Sequence, residues 1–143
     1  MKKILVINGP NLNHLGRREP DIYGSLTLSE IQKYTEEKLK SYNLEIEWFQ
    51  SNIEGEIVSS IQTSMTSGVD LIIINPAGYG HTSVAIYDAM KMIDKPIIEV
   101  HLTNVYSRED FRQTMLTAKA ASKIMSGLGK NAYYLAILSE IEK

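Results

Sequence analysis

The chain has no cysteine, and that single absence removes disulfides, thiolate metal sites and cysteine nucleophiles together. Histidine is scarce as well. His14, His81 and His101 show no paired spacing and give no ligand set for a metal. No apolar run approaches the roughly 20 residues of a membrane span, so no membrane partner is expected. Positive charge is not in excess: 15 Lys and Arg stand against 17 Asp and Glu, with no basic stripe, which argues against a nucleic-acid partner. Met1-Lys2-Lys3 runs straight into Ile4-Leu5-Val6-Ile7, too short a segment for a signal peptide. What is left is expected to be a soluble, cytoplasmic chain. Its 143 residues suit one catalytic domain, 1–143, long enough to bury roughly 70% of the unfolded surface.

What is present alternates. Residues 3–8 form a nearly unbroken apolar run, as expected for a strand buried on both faces. Residues 28–42 follow as a helix, with Thr27 as N-cap and Glu30 completing a capping box. Residues 44–50 alternate like a strand and 53–66 read as a second helix. The clearest buried strand is 69–75, followed by a third helix over 82–93 and a strand over 96–101. Residues 108–121 read as a fourth helix, 122–126 as a weak fifth strand and 132–141 as the closing helix. Five β–α pairs without repeat or linker predict an α/β fold: one doubly wound, five-stranded parallel sheet, flavodoxin-like in plan.

The nucleotide signatures of such folds are missing. A dinucleotide site needs Gly-x-Gly-x-x-Gly directly after a strand, but Gly78-Tyr79-Gly80 lacks the third glycine and Gly127-Leu128-Gly129 follows the weak strand. There is no Walker lysine loop. A receiver domain would carry acidic residues after the first strand and an aspartate ending the third, where this chain has Asn8 and Asn75. A flavin-phosphate loop would be rich in Ser and Thr where Gly9-Pro10-Asn11-Leu12-Asn13 stands. An enzyme without cofactor is the leading class. A non-catalytic or altered-substrate binding module comes second, and a nucleotide or flavin binder third.

Ligands of doubly wound sheets bind outside the carboxyl ends of the strands, and that edge is polar here. Asn8 and Asn11 follow the first strand, Ser51 and Asn52 the second, Asn75 ends the third, and His101, Thr103 and Asn104 follow the fourth. Any one asparagine is explained by turn geometry alone; their concentration points to a site. The first strand and first helix are joined by 17 residues, GPNLNHLGRREPDIYGS, where such joins usually take about two to six. This reads as a lid carrying Arg18 and Tyr23. A phenol is a base at neutral pH only where positive charge favours its ionised form, and an arginine supplies that charge without losing its own proton; otherwise the two are solvated loop residues. Glu99 and His101, two apart on a strand, face the same way. They are either a structural pair or a general acid with its tautomer held. His81 is an exposed loop residue before a helix capped by Thr82 or Ser83, or it joins Asn75 in a polar cradle at that helix start. On the third helix Ala85, Ile86, Ala89, Met90 and Ile93 share one face, so Asp88 points away from its own core, to solvent and Lys91 or to another subunit. Arg112 is a surface charge or a clamp for an oxygen-rich ligand.

Taken together, the chain resembles the type II 3-dehydroquinate dehydratases over nearly its whole length. The blocks that carry the likeness are INGPNLNHLG (7–16), REPDIYG (18–24), QSNIEG (50–55), Asn75-Pro76, HTSVAI (81–86) with Asp88-Ala89, EVHLTN (99–104) and REDFR (108–112). The resemblance implies Tyr23 as base, Arg18 stabilising its phenolate, and His101 as proton donor, with Glu99 and Asn11 completing the catalytic set. It implies Asn75, His81, Asp88, Leu102, Thr103 and Arg112 as the substrate-binding set, the backbone amides of the 102–103 turn meeting a carboxylate. The implied reaction is dehydration of 3-dehydroquinate to 3-dehydroshikimate, a step of the shikimate pathway, through an enolate and without cofactor or metal. The implied assembly is trimers grouped into a dodecamer, the Asp88 position reaching a neighbour's site. The chain departs from the family pattern at Ala77-Gly78-Tyr79-Gly80, where Gly-Ala-Tyr-Thr is usual, a loss of threonine expected to loosen that loop. Tyr87, Gln113-Thr114-Met115 and His14 are further departures, and none touches a proposed acid or base.

Overall fold

The computed structural model describes residues 1–17 and 19–143; Arg18, assigned above as the cation of the long loop, lies outside the described residues. Five strands, β1 (Lys2–Asn8), β2 (Leu44–Gln50), β3 (Leu71–Asn75), β4 (Ile97–His101) and β5 (Lys123–Ser126), make one sheet in the order β2-β1-β3-β4-β5. Every pairing is parallel, as the expected fold requires. Asn8 is level with Gln50 on one side and Asn75 on the other, so the polar strand ends align along one edge.

Alternation sorts the strand side chains into two layers. Ile4, Val6, Leu71, Ile73, Ile98 and Val100 face one side, where α2 (Leu28–Lys38) and α5 (Ala132–Ile141) bring Ile31, Tyr133, Ala136 and Ile137. Leu5, Ile7, Ile72, Ile74 and Ile97 face the other, covered by Ile57 and Ile61 of α3 (Glu54–Ser64) and Ile86, Ala89 and Met90 of α4 (Val84–Lys91). With both faces covered, the central strands β3 and β4 are buried at every position, which is why they read as unbroken apolar runs. Sheet and helices meet at Trp48, whose ring lies edge-on to Tyr133 with centroids 5.6 Å apart.

The helix starts follow local chemistry. Thr27 accepts from the Glu30 amide while Glu30 accepts from the Thr27 amide, the expected capping box. Ser83, not Thr82, caps α4, its Oγ accepting from the Ile86 amide at 3.0 Å. Ala85, expected on the buried face of α4, is exposed. The described residues of the long loop include a 3₁₀ turn at Leu12–His14 and the single-turn helix α1 (Pro20–Tyr23) that carries the phenol.

One expected element is replaced. Residues 108–121 are not a helix; the chain makes three short 3₁₀ turns at Val105–Ser107, Asp110–Gln113 and Thr117–Ala120. The physical reason is competition for the carbonyls a helix would consume. Thr114 O accepts from the His81 ring and Arg108 O from the Gln113 side chain, and Arg108 and Thr114 take extended backbone angles between the turns. Tertiary partners override the helical pattern here.

The strand order reverses around β1, which has β2 on one side and β3 on the other. In open α/β sheets this is where a cleft forms beyond the carboxyl ends.

Candidate active site

The cleft is built where the chain leaves β1, β3 and β4. Gly9 follows β1 so closely that a Cβ there would stand 2.4 Å from the Pro76 carbonyl oxygen, and its amide donates to Asn75 O at 2.8 Å. Asn11 and Ala77, at φ 71° and 53°, turn the two loops outward in the left-handed region. Such strain gathers at functional sites, and the third positive-φ non-glycine among the described residues, Glu19, immediately precedes the helix bearing Tyr23. The Ala77 turn is fixed by its amide donating to Asn75 Oδ1 at 3.2 Å. Asn75 is itself held from below: its Nδ2 donates to the Tyr133 hydroxyl at 3.1 Å, and that hydroxyl donates to Asn8 Oδ1 at 2.5 Å. Burial pushes the Tyr133 phenol far up, with the Asn75 hydrogen bond opposing, so Tyr133 holds its proton and serves as a fixed link.

These turns leave a cavity at the carboxyl edge of the sheet. Asn11, Tyr23, Asn75, His81, His101, Leu102, Thr103 and Arg112 line it together, with Arg108. Glu99 stands behind His101, its Oε2 accepting from Nε2 at 2.7 Å, both side chains almost fully buried. With Nε2 committed to the carboxylate, Nδ1 is the ring nitrogen left for a ligand. His81 is fixed the other way round, its Nδ1 donating to Thr114 O at 2.9 Å, 5.9 Å between its ring and that of His101. Burial lowers the His81 pKa, opposed by the bond to Thr114 and reinforced by the neighbouring His101 and Arg112. A neutral His81 presents Nε2 as an acceptor for a hydroxyl.

The turn after β4 has its carbonyls spoken for. His101 O accepts from the Gly127 amide and Leu102 O from the Gly129 amide, while Thr103 O accepts from the Ser126 hydroxyl. No peptide among the described residues is cis, so the amides of Leu102 and Thr103 point opposite to those carbonyls, away from β5. Two such amides suit a carboxylate.

Arg108 is a site residue the sequence reading passed over. Its Nη1 donates to the Tyr23 hydroxyl at 2.9 Å and to Thr103 Oγ1 at 3.3 Å, and its guanidinium lies 5.1 Å from the Tyr23 ring centroid. Glu109 lies between the two guanidinium groups, 3.4 Å from Arg108 Nε and 3.1 Å from Arg112 Nε, which lets two cations share one cavity wall. The signal was in the sequence: Arg108 is four residues before Arg112 in the same block. Thr117 and Tyr133 were passed over too, with no motif to mark them. The threonine expected at position 80 is a glycine with no spare room beside it; a Cβ there would lie 2.9 Å from Pro76 Cγ and 3.4 Å from both His101 Cε1 and Thr117 Oγ1. Asp88 is exposed on α4, apart from the residues that line its own cavity, and His14 is exposed on its 3₁₀ turn. Among the described residues no group of three or more His, Asp or Glu side chains is placed to hold a metal ion, and no helix is long and apolar enough to cross a membrane.

Fold and cavity define a flavodoxin-like α/β protein with acid–base side chains at the carboxyl edge of its sheet. The chain belongs to the class II dehydroquinases: the family model described as "Dehydroquinase class II" matches residues 2–141. It is 50% identical over 137 residues to a 3-dehydroquinate dehydratase of Clostridium botulinum, covering 96% of this chain and 92% of that one. It is 49% identical over 142 residues to the enzyme of the same name from Fusobacterium nucleatum, covering 98% and 97%. The crystal structure of a type II dehydroquinase from Butyrivibrio crossotus superposes with a TM-score of 0.93 at 44% identity, over 95% of this chain and 94% of that one. One from Propionibacterium acnes superposes with a TM-score of 0.94 at 35% identity, over 100% and 98%.

Proposed function

We propose that this enzyme removes water from 3-dehydroquinate to give 3-dehydroshikimate in the shikimate pathway, with Tyr23 as base and His101 as acid. The carrying observation is one cavity that holds a phenol bonded to a guanidinium and an imidazole backed by a buried carboxylate. The proton next to a ketone leaves only if the enolate it generates is stabilised. Ionised Tyr23 Oη takes that proton and becomes the phenol, its phenolate form being stabilised by the Arg108 guanidinium beside the oxygen, with Arg18 as the second cation of this reading. Asn11, which lines the cavity, meets the enolate oxygen in this reading. The enolate then expels the hydroxyl β to the carbonyl, and His101 supplies the proton from Nδ1, so the leaving group departs as water. Return of the phenol proton to the imidazole through solvent closes the cycle. The Leu102 and Thr103 amides with Arg112 take the substrate carboxylate, and Asn75 and His81 take its hydroxyls. Asp88 completes the site of an adjacent subunit in a dodecamer assembled from trimers, a cytoplasmic assembly that uses no cofactor.

The direct test is optical. Dehydration creates a conjugated enone, so 3-dehydroquinate mixed with the protein should gain near-ultraviolet absorbance. A flat trace at high protein concentration would leave the cavity as a binding site and refute the reading.

A further inference from the structure

The carboxylate behind His101 has a second partner that cannot touch a ligand. Glu99 Oε1 accepts a hydrogen bond of 2.5 Å from Thr117 Oγ1, and Glu99 and Thr117 are both fully buried. Thr117 has one hydroxyl proton and two acceptors in reach, the Glu99 carboxylate and, at 3.5 Å, the Gly80 carbonyl. The short bond identifies where the proton goes. Thr117 lies outside the set of residues that line the cavity, on a 3₁₀ turn in the segment where a helix was expected. Its β-branched side chain is stiff at χ1, and Gly80 closes over it with no space for a side chain of its own.

We infer that Thr117 is a positioning residue for the proton-donating step: its hydroxyl fixes the Glu99 carboxylate so that Oε2 holds His101 Nε2–H and leaves Nδ1 turned to the leaving hydroxyl. This rests on the reading of His101 as the acid. A carboxylate held at only one oxygen can rotate about its terminal torsion, which is broad and soft. The His101 ring would then lose its fixed aim, and small misplacements of a reacting group cost about a hundredfold in rate. Nothing in this arrangement reaches Tyr23, which is carried by α1 and bonded to Arg108.

The two half-reactions can be read separately, by exchange of the substrate's α-proton with deuterated solvent and by net loss of water. Thr117→Val keeps shape and removes the hydroxyl. It should slow dehydration by about tenfold or more, lower kcat with little change in KM, and leave α-proton exchange near the wild-type rate. Thr117→Ser, which returns the hydroxyl, should restore most of the dehydration rate. Thr117→Ala serves if the valine variant does not fold. Equal loss of exchange and dehydration, no loss of either, failure of serine to rescue, or failure of every hydroxyl-free variant to fold would each overturn the inference. His101→Ala is the control for the reading beneath it. If that variant loses exchange and dehydration together, His101 is not the acid; if it separates them and Thr117→Val does not, only the role of Thr117 falls.

Discussion

At the scale of single residues, the site depends on which atom of each side chain is already taken. In the proposed mechanism Tyr23 Oη is the reacting atom and carries little of the ligand's binding, so we predict that Tyr23→Phe abolishes turnover while ligand affinity stays within about tenfold. Retention of more than a few per cent of kcat would remove the phenol from the mechanism. Arg108→Ala should lose nearly as much kcat, because its Nη1 donates to that oxygen at 2.9 Å; an unchanged rate would break the pairing argued here. His81 gives a pH signature. Burial lowers its pKa below the ordinary imidazole value of 6.5, so the folded protein resists a proton that the unfolded chain accepts. Stability is then drained as pH falls through about 6.5, and the loss stops growing once pH passes below the folded value. Urea midpoints between pH 7 and pH 5 should therefore fall more steeply for the wild type than for His81→Asn. Parallel curves would show that burial of His81 does not cost the folded state a proton.

At the scale of elements, the sequence was legible wherever one interaction dominated. β3 and β4 are fully covered on both faces, so their apolar runs could be read directly, and α2 announced itself through Thr27 and Glu30. The pair Glu99 and His101 was legible for the same reason, since a two-residue spacing on a strand fixes a shared face. The segment from Val105 to Ala120 was not. Its residues have helical spacing, and only distant partners, His81 for the Thr114 carbonyl above all, pull it into separate turns. Arg108 carried a signal in its place beside Arg112, but not its partner, because it reaches Tyr23 across 85 residues of chain. Thr117 and Tyr133 had no local signal whatever, their partners being set by the sheet order. The start of α4 carries a prediction of its own. Ser83 Oγ caps the Ile86 amide and donates to Glu54, so Ser83→Ala should cost about 1 kcal/mol in urea unfolding with little change in kcat. A loss confined to activity would mean that the cap serves the cavity rather than the helix.

At the scale of the whole molecule, Asp88 is the residue that one chain does not explain. It sits exposed on α4, outside the residues that line its own cavity, and in the proposed closed symmetric assembly it serves a neighbouring subunit. His101→Ala and Asp88→Asn should each be weak alone. Unfolded together and co-refolded, they should recover activity, since some hybrid sites then draw an intact residue from each parent. No recovery despite proven subunit mixing, or a monomer in solution, would leave Asp88 to its own chain or to none. Binding by the inactive variants these experiments need should be measurable without any added label. The chain has one tryptophan, and Trp48 lies edge-on to Tyr133, whose hydroxyl is bonded to the Asn75 that lines the cavity. A ligand that draws on Asn75 should therefore shift the emission of the single indole, and unchanged emission at saturating ligand would break that link. A shift would make that indole a fluorescent gauge of the protein's own occupancy, read through Tyr133 and Asn75.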